Sequence, residues 1–253
     1  MKINSRYHLL WLLLLLLFSG CAAPTNKPLR VLKYPAPRSE ETPQAKSSDT
    51  LIVLLHGRMG APEDFEKHQW ISRLRAKYPD ADMVAPDVHL GYYRGRTITK
   101  RLHHDIILPA KQRGVKRIYL SGISMGSLGS LLYESEHPGN VDGFLLVAPF
   151  LGYGAIEKDL KQAGSLKKWS QQLENEPEKW QPKFWRWLAE HSSELADRVH
   201  IGYAKDDGYV VGQQFFASLM HEPNVIIVEG KHRFNAFTAI LDRFLKDHSF
   251  SES

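Results

Sequence analysis

The 253-residue chain has a single cysteine, Cys21, so it closes no internal disulfide and its stability must come from a packed core. It lacks the roughly twenty consecutive apolar residues of a membrane-spanning helix, because the uninterrupted apolar run at 9–18 is only ten residues long. A long basic tract is missing as well. The 33 Lys and Arg are interleaved with 28 Asp and Glu, so the formal charge of +5 describes a mixed surface, and no nucleic-acid partner is expected. No internal repeat is visible. Core-forming residues are plentiful: 43% of the chain is hydrophobic, with six Trp, ten Tyr and eleven Phe. This excludes disorder and suits one globular domain, or a domain carrying a small insertion.

The N-terminus has the three parts of an export signal. Lys2 and Arg6 form a positive start, 9–18 is the apolar stretch, and Ser19 and Gly20 supply small residues before Cys21. Phe18-Ser19-Gly20-Cys21 resembles the lipobox of bacterial lipoproteins, which implies cleavage before Cys21 and lipidation of its thiol. Removal of residues 1–20 lowers the formal charge from +5 to +3. Ala22 is not the Asp that commonly retains lipoproteins in an inner membrane. The expected location is the periplasmic face of the outer membrane in a Gram-negative host, and otherwise the outer face of the cell membrane.

Residues 21–50 contain Pro24, Pro28, Pro35, Pro37 and Pro43 among Ser, Thr, Lys and Glu, the composition of a tether, with a short edge strand expected at 29–34. The folded domain is expected over 51–248. Its first strand, 51–55, is apolar on both faces, as a central parallel strand is. Helices are expected at 63–77, 97–113, 125–136, 210–220 and 234–246, with strands at 82–85, 116–121, 141–148, 199–204 and 224–228. This alternation implies an α/β fold, with a mostly parallel central sheet covered by helices on both faces. The segment 151–196 has no strand pattern but carries Trp169, Trp180, Trp185 and Trp187. It reads as a small helical cap inserted at the carboxyl edge of the sheet, where open α/β folds place ligands. The four indoles suit an acyl pocket, a satellite core or a membrane-facing aromatic surface.

Gly122-Ile123-Ser124-Met125-Gly126 is a G-x-S-x-G motif between a predicted strand and a predicted helix. Such a turn holds its serine in a strained conformation while the glycines let neighbouring chain pass close by. With this motif, and with a carboxylate loop (Asp206, Asp207) and a loop histidine (His232) following later strands in that order, the chain resembles the α/β-hydrolase family from about Leu51 to Leu245. A serine hydroxyl is a poor nucleophile at neutral pH. Ser124 therefore needs a base, which the resemblance makes His232, and that imidazole needs a carboxylate to fix its tautomer. Asp207-Gly208-Tyr209-Val210 matches the family's Asp-x-x-Val run, so Asp207 is preferred to Asp206. The resemblance also implies an oxyanion hole made by the backbone N–H groups of Met125 and Arg58, and a structural role for His56.

The expected chemistry is hydrolysis of a carboxylic ester or thioester through an acyl-serine, with acyl transfer, or binding without turnover on the same scaffold, as the alternatives. No cofactor and no metal is required. His103 and His104 are adjacent on a helix and cannot ligate at i, i+4 spacing. The expected substrate is a small or lipid-like ester. Arg58, Arg94, Arg96, Lys231 and Arg233 lie on loops of the carboxyl edge, so either the substrate is anionic or these side chains form a solvated rim.

Overall fold

The computed structural model describes residues 23–37, 48–173, 175 and 177–250. The expected signal segment, Cys21 and part of the expected tether lie outside these residues. Seven strands form one sheet: β1 (Val31–Tyr34), β2 (Thr50–Leu55), β3 (Asp82–Pro86), β4 (Arg117–Ile123), β5 (Gly143–Val147), β6 (Val199–Ala204) and β7 (Val225–Val228). Their spatial order is β1-β3-β2-β4-β5-β6-β7, with β1 antiparallel to β3 and every other pairing parallel. This is the fold class read from the sequence.

Alternation along the strands divides the core between the two faces. Leu51, Val53 and Leu55 join one apolar cluster while Ile52 and Leu54 join the other. The second cluster is covered by α1 (Asp64–Lys67), α2 (Trp70–Lys77) and the C-terminal helix (Phe234–Asp247), through Phe65, Trp70, Leu74, Phe237 and Phe244. The first lies beneath α3 (Leu90–Arg94), α4 (Ile98–Leu102), α5 (Leu108–Gln112) and α6 (Met125–Glu136). Segment 151–196 forms four short helices, α7 (Ala155–Ala163), α8 (Leu166–Gln171), α9 (Trp180–Glu190) and α10 (Ser192–Ala196). They pack into the same first cluster, as does α11 (Val210–Ala217), and the C-terminal helix is α12.

The structure departs from the sequence reading at four places. The helix expected at 63–77 is broken, with Gln69 at φ 62°. Five residues along an unbroken helix would separate Phe65 and Trp70 by about 140°, and the break instead brings their rings together at 5.5 Å in one cluster. The helix expected at 97–113 contains a π turn at His103–Ile107 between α4 and α5. Helix α3 was not anticipated. It starts where the His89 ring accepts from the Gly91 N–H. Residues 23–28, expected as spacer, are docked through Thr25, whose N–H donates to the Gly91 carbonyl, and Leu29 and Arg30, expected in the edge strand, precede it, with Leu29 N–H donating to Asp105 and its side chain buried.

His200 on β6 lies against Phe244 and His248, and burial, with His248 as the second cause, pushes its pKa down to about 4. The folded state therefore refuses a proton that the unfolded chain takes up below its ordinary value near 6.5, so stability is full above that value and falls as pH drops toward 4. This residue alone should cost about 2 kcal/mol between pH 7 and pH 5. Urea denaturation of His200→Leu should show a correspondingly flatter pH dependence over that range; an unchanged slope would show that His200 protonates freely in the folded state.

Candidate active site

Strand β4 ends in a turn that leaves Ser124 at φ 54°, ψ −112°, a conformation a residue with a Cβ adopts only when its surroundings impose it. The glycines around it explain how. A Cβ on Gly122 would stand 2.5 Å from the Gly126 carbonyl carbon and the Ser127 nitrogen, and a Cβ on Gly126 would run into the Leu55 carbonyl at the end of β2. The first turn of α6 thus lies directly on the ends of β2 and β4, with Ser124 raised at its tip and 9% exposed.

The other two candidates arrive from the next strand ends. After β6, Asp207 accepts through Oδ1 from the Tyr209 N–H at 2.8 Å and through Oδ2 from His232 Nδ1 at 2.7 Å, with its side chain fully buried. After β7, His232 places Nε2 2.9 Å from Ser124 Oγ. The carboxylate can only accept, so Nδ1 carries the proton and Nε2 is left to accept from the serine hydroxyl. Tyr209 and Phe237 meet the imidazole edge to face at 5.2 and 5.0 Å and fix its plane. Asp206 points to solvent, and its N–H donates to the Gly230 carbonyl.

Met125 N–H belongs to the first residue of α6, where the helix supplies no acceptor. Gly57 is packed so closely that a Cβ there would touch Ser124 Cβ at 3.4 Å, and Gly57 to Gly60 form a tight turn that carries Arg58 beside the serine. His56 is buried, and it accepts at Nε2 from the Val88 N–H at 3.0 Å and donates from Nδ1 to the Gly57 carbonyl at 2.8 Å. It ties the turn to the end of β3 and does not reach the serine hydroxyl. Tyr93 donates to the Met125 carbonyl at 2.9 Å, and burial raises its phenol pKa.

A small hollow under the insertion is lined by Leu151, Tyr153, Ile156, Glu157, Gln181, Trp185 and Tyr209; no triad residue lines it, and it meets the triad only through Tyr209, whose ring packs on His232. Phe150 donates its N–H to the Ser124 carbonyl and packs its ring on Tyr209. The four insertion tryptophans divide. Trp185 lines the hollow and donates to the Leu151 carbonyl, Trp169 and Trp187 serve the core, and Trp180 is exposed. Arg58, Arg94, Arg96, Lys231 and Arg233 are all exposed and none lines the hollow, which makes them a rim. His103 stacks on His137 and bonds Tyr133 away from this site.

Tyr209, Phe237, Phe150 and Tyr93 were not singled out from the sequence. Only Tyr209 had a local signal: an Asp two residues earlier can hold its N–H in an Asx turn.

The chain has the α/β-hydrolase fold. Among solved structures it is similar to a ferulic acid esterase (12% identity, 87% of this chain and 97% of that one, TM-score 0.57). It is similar also to S-formylglutathione hydrolase from Staphylococcus aureus (14%, 88% and 98%, TM-score 0.56). A third is a monoacylglycerol lipase from Paleococcus ferrophilus (16%, 88% and 100%, TM-score 0.52). No family model and no curated protein matches the chain.

Because the atom that a Gly126 side chain would meet is backbone, Gly126→Ala should cost about 2–3 kcal/mol or more in urea denaturation. A loss below about 0.5 kcal/mol would show that α6 can move off β2 freely.

Proposed function

We propose that this protein is a serine ester hydrolase, cleaving a carboxylic ester or thioester through an acyl-Ser124 intermediate, and that a lipid on Cys21 holds it at the outer-membrane surface facing the periplasm or, in a single-membrane host, at the outer face of the cell membrane. The observation that carries this reading is the polarity of one imidazole, with His232 donating to buried Asp207 on one side and free to accept from Ser124 on the other. The similar folds of a ferulic acid esterase, an S-formylglutathione hydrolase and a monoacylglycerol lipase support the same class.

In the proposed reaction Ser124 Oγ attacks the carbonyl carbon while His232 Nε2 takes the hydroxyl proton. The carbonyl oxygen, now negative, is held by the N–H groups of Met125 and Arg58, donors fixed in place before the charge appears and worth about 3 kcal/mol each in comparable sites. The carbon–oxygen or carbon–sulfur bond breaks and the leaving group departs with the proton from Nε2. Water then gives a proton to Nε2 and attacks the acyl carbon. The proton returns to Ser124 Oγ as the carboxylic acid leaves. Asp207 stays ionised throughout and stabilises the imidazolium formed in each half.

Ser124→Ala should lower turnover of a p-nitrophenyl ester at least about a thousandfold and abolish fluorophosphonate labelling, since only binding and the oxyanion donors remain. Retention of a tenth of the activity would refute the nucleophile. Asp207→Asn should lower kcat by about three to four orders of magnitude, and Asp206→Asn by less than about threefold. The opposite ranking would move the acid by one residue.

A further inference from the structure

The antiparallel edge strand decides where the N-terminal end of the chain meets the domain. β1 begins at Val31 opposite Pro86, the last residue of β3, so the segment before β1 emerges at the carboxyl edge of the sheet. Ser124, Asp207 and His232 follow β4, β6 and β7 and project from that same edge. Three inter-strand spacings, about 14 Å, separate β1 from β4 in the sheet order.

The segment leaves no slack there. Thr25 N–H donates to the Gly91 carbonyl at 3.1 Å, Thr97 Oγ1 donates to the Thr25 carbonyl at 2.5 Å, and Leu29 N–H donates to Asp105 at 2.8 Å. Cys21 is two residues before Ala23 and therefore within about 7 Å of it, whatever path the chain takes. An acyl chain on Cys21 would enter a bilayer close to the catalytic mouth.

The surface of this edge fits that neighbour. Among the described residues the exposed large hydrophobics are Met59 (93%), Tyr153 (60%), Trp180 (47%) and Ile227. Met59 sits on the turn packed against Ser124. Tyr153 follows β5, and Trp180 opens α9 beside Gln181, whose amide bonds the main chain of Tyr153 on both sides. Exposed Lys27, Arg58, Arg96, Lys231 and Arg233 occupy the same edge. Of the acids nearby, Glu63 and Glu229 are paired with Arg30 and Lys205, which leaves Asp206, Glu157 and Glu178 against these five cations and Lys179 among the described residues. Apolar and aromatic tips set among cations are the composition of a surface that rests in the headgroup layer of an anionic bilayer.

We infer that the domain lies mouth-down on the membrane that anchors it, with Met59, Tyr153 and Trp180 in the headgroup layer of an anionic lipid surface, and takes its ester from that bilayer. The inference rests on the lipid-anchored ester hydrolase proposed above. It differs from a tethered enzyme that faces the aqueous phase, for which neither a docked N-terminal segment nor an exposed apolar rim at the mouth has a use.

The test uses the full acylated chain in vesicles of phosphatidylcholine and phosphatidylglycerol at 3:1. With Cys21 acylated, a single nitroxide can be placed at Tyr153→Cys on the mouth, or at Asp80→Cys, an exposed position just before β3 on the opposite edge. The ratio of collisions with oxygen to collisions with a water-soluble nickel chelate should be at least fivefold higher at 153 than at 80. Equal ratios overturn the orientation while leaving the anchor standing, whereas labelling of the unsubstituted chain reveals a free Cys21 thiol and overturns the anchor itself. Neither readout requires turnover, so an inactive protein is distinguishable from a misoriented one. In the active protein, a thirty-residue Gly-Ser spacer inserted between Ala22 and Ala23 should lower the rate on a bilayer-embedded ester relative to a soluble short-chain ester at least fivefold. An unchanged ratio overturns the claim that the substrate comes from the bilayer.

Discussion

Everything at the site depends on how closely the first turn of α6 lies on the end of β2. That contact is made by backbone on backbone, Gly126 over the Leu55 carbonyl, and it sets the height at which Ser124 stands above the sheet. The strain at Ser124, a non-glycine residue at φ 54°, is held by this packing and by main-chain bonds on both sides, its N–H to the Val147 carbonyl and its own carbonyl to Phe150. A serine free to relax would move its hydroxyl away from His232. The same contact brings the Gly57 turn against the serine, so the nucleophile and the two N–H groups assigned to the oxyanion are set by one piece of backbone geometry.

The sheet supplies the rest. Six parallel strands deliver their carboxyl ends to one edge, and the loops that follow carry His56, Ser124, Asp207 and His232 without needing long reaches. The triad's acid is its most buried member. Asp207 is buried and held by Tyr209 N–H and by His232, whose imidazole is flanked by the rings of Tyr209 and Phe237. The insertion 151–196 contributes in a different way. Its indoles mostly complete the first core cluster, and only Trp185 turns toward the hollow.

The sheet and the three site residues were legible because their signals are local. A strand buried on both faces must be apolar throughout, as in β2, and a serine on a tight turn needs glycine two residues either side. The break at Gln69, helix α3 and the docking of residues 23–28 were illegible for a shared reason. Each is decided by partners distant in sequence: Trp70 by its cluster, α3 by Tyr93 reaching Met125, and the N-terminal segment by hydrogen bonds to Gly91 and Asp105. A segment rich in Pro, Thr and Lys has the same composition whether it floats or docks, because main-chain bonds do the docking and leave no mark on side-chain type. The basic residues show the converse. Their placement on the carboxyl edge could be read from loop positions, but not whether they faced inward, and all five are exposed.

The central claim is that Ser124 carries the acyl group between two half-reactions. The most direct measurement is rapid quenching of the protein with excess p-nitrophenyl acetate in acid, followed by mass analysis of its proteolytic peptides. The account predicts that the peptide containing Ser124 gains one acetyl group, about 42 Da, within the first turnover, and that the gain disappears in His232→Ala. Steady release of nitrophenol with no acetyl on that peptide, or with the acetyl on another residue, would contradict it.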